Sequence, residues 1–197
     1  MMNLPATHSM YYAAIVCPPE AEEKVVHFKH WMKEQFGCVV ALRSPAHITL
    51  IPPFWLEEAR ETKLQNAVQS FASDIEELEI HLEGFAHFAR RVLFIGVKEN
   101  PALEEIKKQT EFHLMKSFSD VIKTDDRPFH PHITIANRDL KPSDFIKAWE
   151  HFSKKDFKEI FHSRTISLLK LSPGKWSVIG EKEWRQTFFK DIFHSGS

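Results

Sequence analysis

Two segments of this chain, His47-Ile48-Thr49-Leu50 and His132-Ile133-Thr134-Ile135, write one pattern twice, 85 positions apart. In an extended strand successive side chains point to opposite faces. Each copy therefore sends its histidine and threonine one way and its two aliphatic residues the other. The aliphatic face demands a cover, such as a packed helix, and the polar face demands an open side. A fold that accommodates this sequence must meet that requirement twice.

The surroundings of the two copies match in order. "MYYAAIVC" reads as a short buried strand that Pro18-Pro19 ends. Ala21, Val25, Phe28, Met32 and Phe36 then recur at helical spacing, and Gly37 stands at the C-cap position. "CVVAL" and "AHITLI" read as two extended segments and Pro52-Pro53 as a break. Leu64, Ala67, Val68 and Phe71 mark a second amphipathic helix. Further on, "RVLFIGV" (91–97) reads as a strand, and Asn100-Pro101 as a helix start with asparagine as cap. Leu103, Ile106, Thr110 and Leu114 carry that helix. "PHITIA" follows, then a helix with Phe145, Ile146, Trp149 and Phe152. The order strand, helix, His-x-Thr strand, helix thus occurs twice.

Extended segments follow each copy: "ELEIHLEGFAHF" the first, and "DFKEIFHS", "TISLLKL" and "KWSVIGEKEW" the second. The expected fold class is α+β, a duplicated bilobal fold with two antiparallel sheets flanked by outer helices around a central groove. Residues 1–197 are expected to form a single domain of two pseudo-equivalent lobes, each contributing one His-x-Thr strand. Glycine is scarce, at six residues, and Gly37, Gly84 and Gly174 are read near turns.

Chemistry gives the repeated pair a use. Histidine titrates near neutrality, so one copy can accept a proton while its twin donates one. Threonine hydroxyls can donate hydrogen bonds to the non-bridging oxygens of a phosphate. A phosphodiester needs a base for the attacking hydroxyl, an acid for the departing oxygen, and donors for the charged oxygens. A lone His-x-Thr strand is ordinarily a half-buried polar pair; two copies in matching settings weigh toward catalysis.

The formal charge of −1 gives no global basic field, so a polyanion must be held by a local cluster. The most basic stretch, Lys154 to Lys175, has six Lys/Arg against two acids and reads as a solvated face. Cys17 and Cys38 lie in apolar runs and read as small buried hydrophobes. "MMNLPATHSM" lacks the pattern of a secretory signal, and no apolar run is long enough to span a bilayer. The expected setting is cytoplasmic, away from membranes.

At these residues the chain resembles the two-histidine (2H) phosphoesterase superfamily, and within it the 2′–5′ RNA ligase / cyclic phosphodiesterase family. The likeness runs from "YYAAIVCPP" to "KWSVIGEKEW". Its specific part is "HITL" and "RPFHPHITIAN", where Arg127, Pro131, His132 and Thr134 match the family's second motif. "GFAHFARRVLFIGV" looks like the family's link between lobes. The resemblance implies action on 2′,3′-cyclic phosphate or 2′–5′ phosphodiester ends of RNA or nucleotides, by hydrolysis to a 2′-phosphate or the reverse ligation. It implies His47 and His132 as the acid–base pair and Thr49 and Thr134 as phosphate holders, with no cofactor and no metal. The family often carries an arginine at the position of Asn137; Arg138 stands one step later, which in a regular strand turns it to the other face.

Other features admit other uses. Arg43 and Arg127 precede their histidines by four and five positions and are candidate substrate contacts. Phe129 is the favoured aromatic contact, with Phe54, Phe85, Phe88 and Tyr11 as further candidates for stacking on a base. His130 and His132 on one strand face could ligate zinc as a pair, yet no nearby motif supplies a third ligand. His8, His27, His30, His113, His151, His162 and His194 are read as surface or helix-face residues. A binding module that uses the same groove on RNA ends or nucleotides, without turnover, is the alternative function.

Overall fold

Both His-x-Thr segments are edge strands. In a computed structural model that describes residues 7–124 and 127–185, eight strands form two four-stranded sheets. The first runs β2 (His47–Glu57), β1 (His8–Val16), β7 (Thr165–Ser172), β8 (Lys175–Glu183). The second runs β5 (His132–Ala136), β4 (Val92–Val97), β3 (Leu78–Phe88), β6 (Lys158–Ser163). Every neighbouring pair is antiparallel. Edge strands β2 and β5 pack against each other, so the two motifs meet where the sheets adjoin.

Four helices cover the sheets: α1 (Pro19–Phe36), α2 (Glu61–Gln69), α3 (Pro101–Phe118) and α4 (Pro142–Phe152). Their apolar stripes meet the sheet faces. Ile48, Leu50, Ile133 and Ile135 are buried in one continuous core with Val25, Met32, Ile106 and Leu114. Two helix ends are satisfied as their sequences suggest. Gly37 closes α1 in the left-handed region at φ 70°, its N–H on the Lys33 carbonyl, and Asn100 accepts from Leu103 N at 3.0 Å to open α3.

The sheets do not divide the chain into two halves. β3, which follows the first copy, joins the second sheet, and β7 and β8, which follow the second copy, join the first. Strand patterning announces an extended segment but not its partner. "GFAHFARRVLFIGV" is accordingly not a link between sheets but the β3–β4 hairpin inside one of them. Its tip, Ala89 and Arg90, has φ of 44° and 56°, and Arg91 N closes it on the Phe88 carbonyl at 2.9 Å.

Three local expectations are overturned. "CVVAL" is not extended: Val40–Arg43 forms a 3-10 turn. Its first amides, Val39 N and Val40 N, donate to Asp139 Oδ2 at 2.6 and 2.8 Å, a cap supplied from a hundred residues away. Pro52-Pro53 does not break the chain, because β2 runs through both. An edge strand tolerates missing N–H donors, and the register slips there, from Tyr11 opposite Phe54 to Ala13 opposite Ile51. Gly84 lies within β3 rather than at a turn; at φ 61° it sits in a bulge, its N–H donated sideways to the Phe157 carbonyl.

Cys17 and Cys38 are free and buried, with thiols pushed up to about 12 and about 11 chiefly by burial. The basic stretch is spent on surface pairs such as Arg164–Glu183 and Lys170–Glu61. No helix among the described residues is long and apolar enough to cross a membrane. His194 and residues 1–6 lie outside the described residues.

Candidate active site

Each motif histidine is oriented by the carbonyl two residues before it. His47 Nδ1 lies 2.8 Å from Pro45 O, and His132 Nδ1 lies 2.7 Å from His130 O. A carbonyl can only accept, so each Nδ1 carries the hydrogen, and in the neutral ring each Nε2 is the acceptor. The sequences Pro45-Ala46-His47 and His130-Pro131-His132 thus perform the same local act at the start of each edge strand.

The motif face borders two cavities that share Thr49 as a wall. One, of about 270 Å³, is lined by His47, Thr49, Thr134, Lys29, Arg43 and Arg138, with Tyr12, Asn137 and Trp176 among its other walls. The other, of about 580 Å³, is lined by His132, Thr49, Arg127, Phe129, Phe88 and Pro52. Thr49 belongs to both, which makes it the seam of the groove. Arg43, Arg127 and Phe129 all reach the groove, as does Phe88, whose ring lies 5.0 Å edge-on from His132. Tyr11 and Phe54 do not: both are buried on the helix side of the first sheet, where Tyr11 OH donates to Glu61 Oε2 at 2.7 Å. Phe85 packs into the aromatic core with Phe28 and Phe152. His130 precedes β5 and lends its carbonyl to His132 rather than sharing a strand face with it.

Arg138 does not turn away from the motif face as strand parity predicts. β5 ends at Ala136, so alternation no longer governs position 138, and Arg138 lines the cavity that holds Thr134 and His47. The Asp139 clamp on the Val39 and Val40 amides fixes the turn that carries it. Asn137, beside it, keeps a buried Oδ1 with no hydrogen-bond partner.

The residues behind His47 carry no motif of their own. Lys29, 2% exposed on α1, donates from Nζ to the Ser44 carbonyl at 3.0 Å. Ser44 Oγ is 2.5 Å from Tyr12 OH, and the Tyr12 ring lies 4.8 Å from the His47 ring. Burial holds Lys29 down to about 8 and pushes the Tyr12 phenol up. Burial likewise holds His47 down to about 4; the Pro45 bond opposes this, while Lys29 and His132 add to it. His132 is also lowered, again chiefly by burial. A lysine in the apolar stripe of α1, at helical spacing from Val25 and Met32, is the available signal.

The class follows from these features: two antiparallel sheets presenting paired His-x-Thr edge strands to one groove define a two-histidine phosphoesterase. The model of the 2′-5′ RNA ligase superfamily matches residues 17–175, and the chain belongs to that family. A Geobacillus kaustophilus protein named, provisionally, a phosphoesterase is 26% identical over 183 residues, covering 88% of this chain and 99% of that one. The RNA 2′,3′-cyclic phosphodiesterase of Bacillus subtilis is 30% identical over 96 residues, 47% of this chain and 51% of that one. Among solved structures, E. coli LigT complexed with 3′-AMP superposes with a TM-score of 0.66 at 19% identity, covering 91% of this chain and 100% of that one. That last likeness is one of fold.

Proposed function

We propose that this protein is a metal-independent phosphoesterase acting on 2′,3′-cyclic phosphate or 2′–5′ phosphodiester ends of RNA or nucleotides. The observation that carries the reading is the matched pair of imidazoles, each locked through Nδ1 by the carbonyl two residues back, beside threonines on one groove. His47 and His132 are the acid–base pair. Thr49 and Thr134 donate to the phosphate oxygens, and Arg43, Arg127 and Arg138 supply positive charge that the chain as a whole lacks. Phe129 and Phe88 offer an apolar wall for a nucleoside. E. coli LigT, whose fold this chain resembles, has been solved in complex with 3′-AMP and with ATP, which supports nucleotides as the class of ligand.

In hydrolysis one neutral imidazole removes a proton from water, whose oxygen attacks the cyclic phosphorus in line. The P–O3′ bond breaks, and the other, protonated imidazole delivers its proton to O3′, leaving a 2′-phosphate. If a 5′-hydroxyl replaces water, the same steps join it to phosphorus as a 2′–5′ linkage; in reverse the histidines exchange roles. A cytoplasmic site of action accords with the same substrates.

The test is incubation with a panel of nucleoside 2′,3′-cyclic phosphates and 2′–5′ dinucleotides in chelator, with products identified by ³¹P NMR. Turnover to 2′-phosphates is the expected result. Binding of these compounds with no turnover of any would overturn the enzyme reading in favour of a module that recognises RNA ends.

A further inference from the structure

The groove face of the first sheet continues past His47 and Thr49 as an apolar row that the acid–base machinery does not use. Register places Trp55 of β2 opposite Met10 of β1, and Leu171 of β7 opposite Trp176 of β8. Tyr11 opposite Lys170 puts Met10 and Leu171 side by side, so the four residues cross all four strands in line. Met10, Leu171 and Trp176 line the cavity that contains His47, and Trp55 stands 56% exposed at the far end. The Trp176 ring is braced edge-on against Tyr12 at 4.6 Å, and Tyr12 touches the His47 ring. Val178, 41% exposed, extends the same face from β8.

An apolar row of this kind beside a polar cavity marks a binding surface. Three strand spacings make it roughly 14 Å long, enough to seat two bases side by side. Flat aromatic rings suit nucleobases, each of which offers a π-face regardless of sequence. Charge favours the same occupant: Arg43 and Arg138 line the one cavity that holds Met10, Leu171 and Trp176 together with His47 and Thr134, and they suit the phosphates of a strand laid through it.

We infer that the Trp55–Met10–Leu171–Trp176 row is a stacking shelf for the nucleotides adjoining the scissile phosphate, so that the protein takes RNA ends of at least two or three residues in preference to single nucleotides. The inference rests on the phosphoesterase reading and specifies its substrate class. A mononucleotide occupies the phosphate centre and the Phe129–Phe88 wall, whereas an oligonucleotide also covers the shelf.

The experiment compares kcat/KM for a hexanucleotide ending in a 2′,3′-cyclic phosphate with that for the matching nucleoside 2′,3′-cyclic phosphate. Wild type is expected to prefer the hexanucleotide by at least about tenfold, and Trp55→Ala with Trp176→Ala to reduce the preference toward unity. Trp55→Ala alone alters an exposed side chain and is expected to lose part of the preference while mononucleotide turnover stays unchanged. Equal use of both substrates by wild type, or a preference that survives the double substitution, overturns the shelf. If neither substrate turns over, the phosphoesterase reading has failed, and tryptophan quenching by a 2′-phosphorylated hexanucleotide against the 2′-mononucleotide decides the shelf separately. Equal quenching, or tryptophans buried instead by self-association in a sedimentation run, would reject it.

Discussion

The two motif histidines are built alike in their first contact and differently in everything behind it. Both spend Nδ1 on the carbonyl two residues back. Behind His47 lies a polar chain of Tyr12, Ser44 and the buried Lys29. Behind His132 lie two phenyl rings, Phe94 at 4.8 Å and Phe88 at 5.0 Å. Where α1 buries Lys29, α3 buries Thr110, whose hydroxyl folds back onto the Ile106 carbonyl at 2.7 Å and reaches no strand. A duplicated architecture therefore repeats the part that fixes a tautomer and varies the part that sets its surroundings. One histidine sits near a buried lysine whose charge burial disfavours, and the other in an aromatic notch.

The most forceful way to break this comparison is to remove each imidazole in turn. His47→Ala and His132→Ala are each expected to lower turnover of a cyclic phosphate by about 10²–10⁴. Retention of activity by either variant would mean that the pair does not share one phosphate.

A stability measurement probes the difference in burial. His47 is neutral in the folded state down to about pH 4, whereas the unfolded chain protonates it near pH 6.5. Between those values the unfolded state binds more protons, so stability falls as pH drops through the window and is recovered above it. His47→Gln should flatten the dependence by an amount of the order of 2–3 kcal/mol. Urea midpoints at pH 7 and pH 4.5 for both proteins measure it. His132→Gln, in the less buried setting, should flatten it less.

Lys29→Met separates function from stability. Methionine fills the lysine's space without the cost of a buried charge, so the melting temperature should hold or rise. Loss of the anchor on Ser44 and of the nearby cation should lower kcat about tenfold, near 1.4 kcal/mol, and raise the titration midpoint of His47. Histidine NMR on the same sample reads that midpoint. A fall in melting temperature with kcat preserved would assign Lys29 a purely structural role. The smallest effect belongs to the other side: Phe88→Ala, at an exposed hairpin end, should change kcat/KM only a few-fold. A loss as deep as that of His132→Ala would show that the aromatic notch, and not the carbonyl bond, positions His132.

Much of this is legible in the sequence where the signal is local. The two His-x-Thr strands, the four helices and the caps at Gly37 and Asn100 follow from periodicity and from orphan backbone groups at helix ends. Nearness to the motifs points to Arg43, Arg127 and Phe129, and all three reach the groove. Tyr11 is misread because it and Tyr12 are adjacent, and only strand pairing decides which of two neighbours faces the helices. Arg138 escapes the parity rule because that rule stops at the last residue of β5.

By itself the sequence determined which residues are candidates for the chemistry and which face of each strand they share, because side-chain alternation and helical period are properties of a single segment. Only the tertiary structure decided that β3 and β7 exchange sheets, that Asp139 caps a turn a hundred residues earlier, and that a lysine from α1 stands behind His47. Those outcomes are choices of partner. Strand edges and buried donors accept any complementary group, so the choice is settled by how all the elements pack together rather than by the residues on either side.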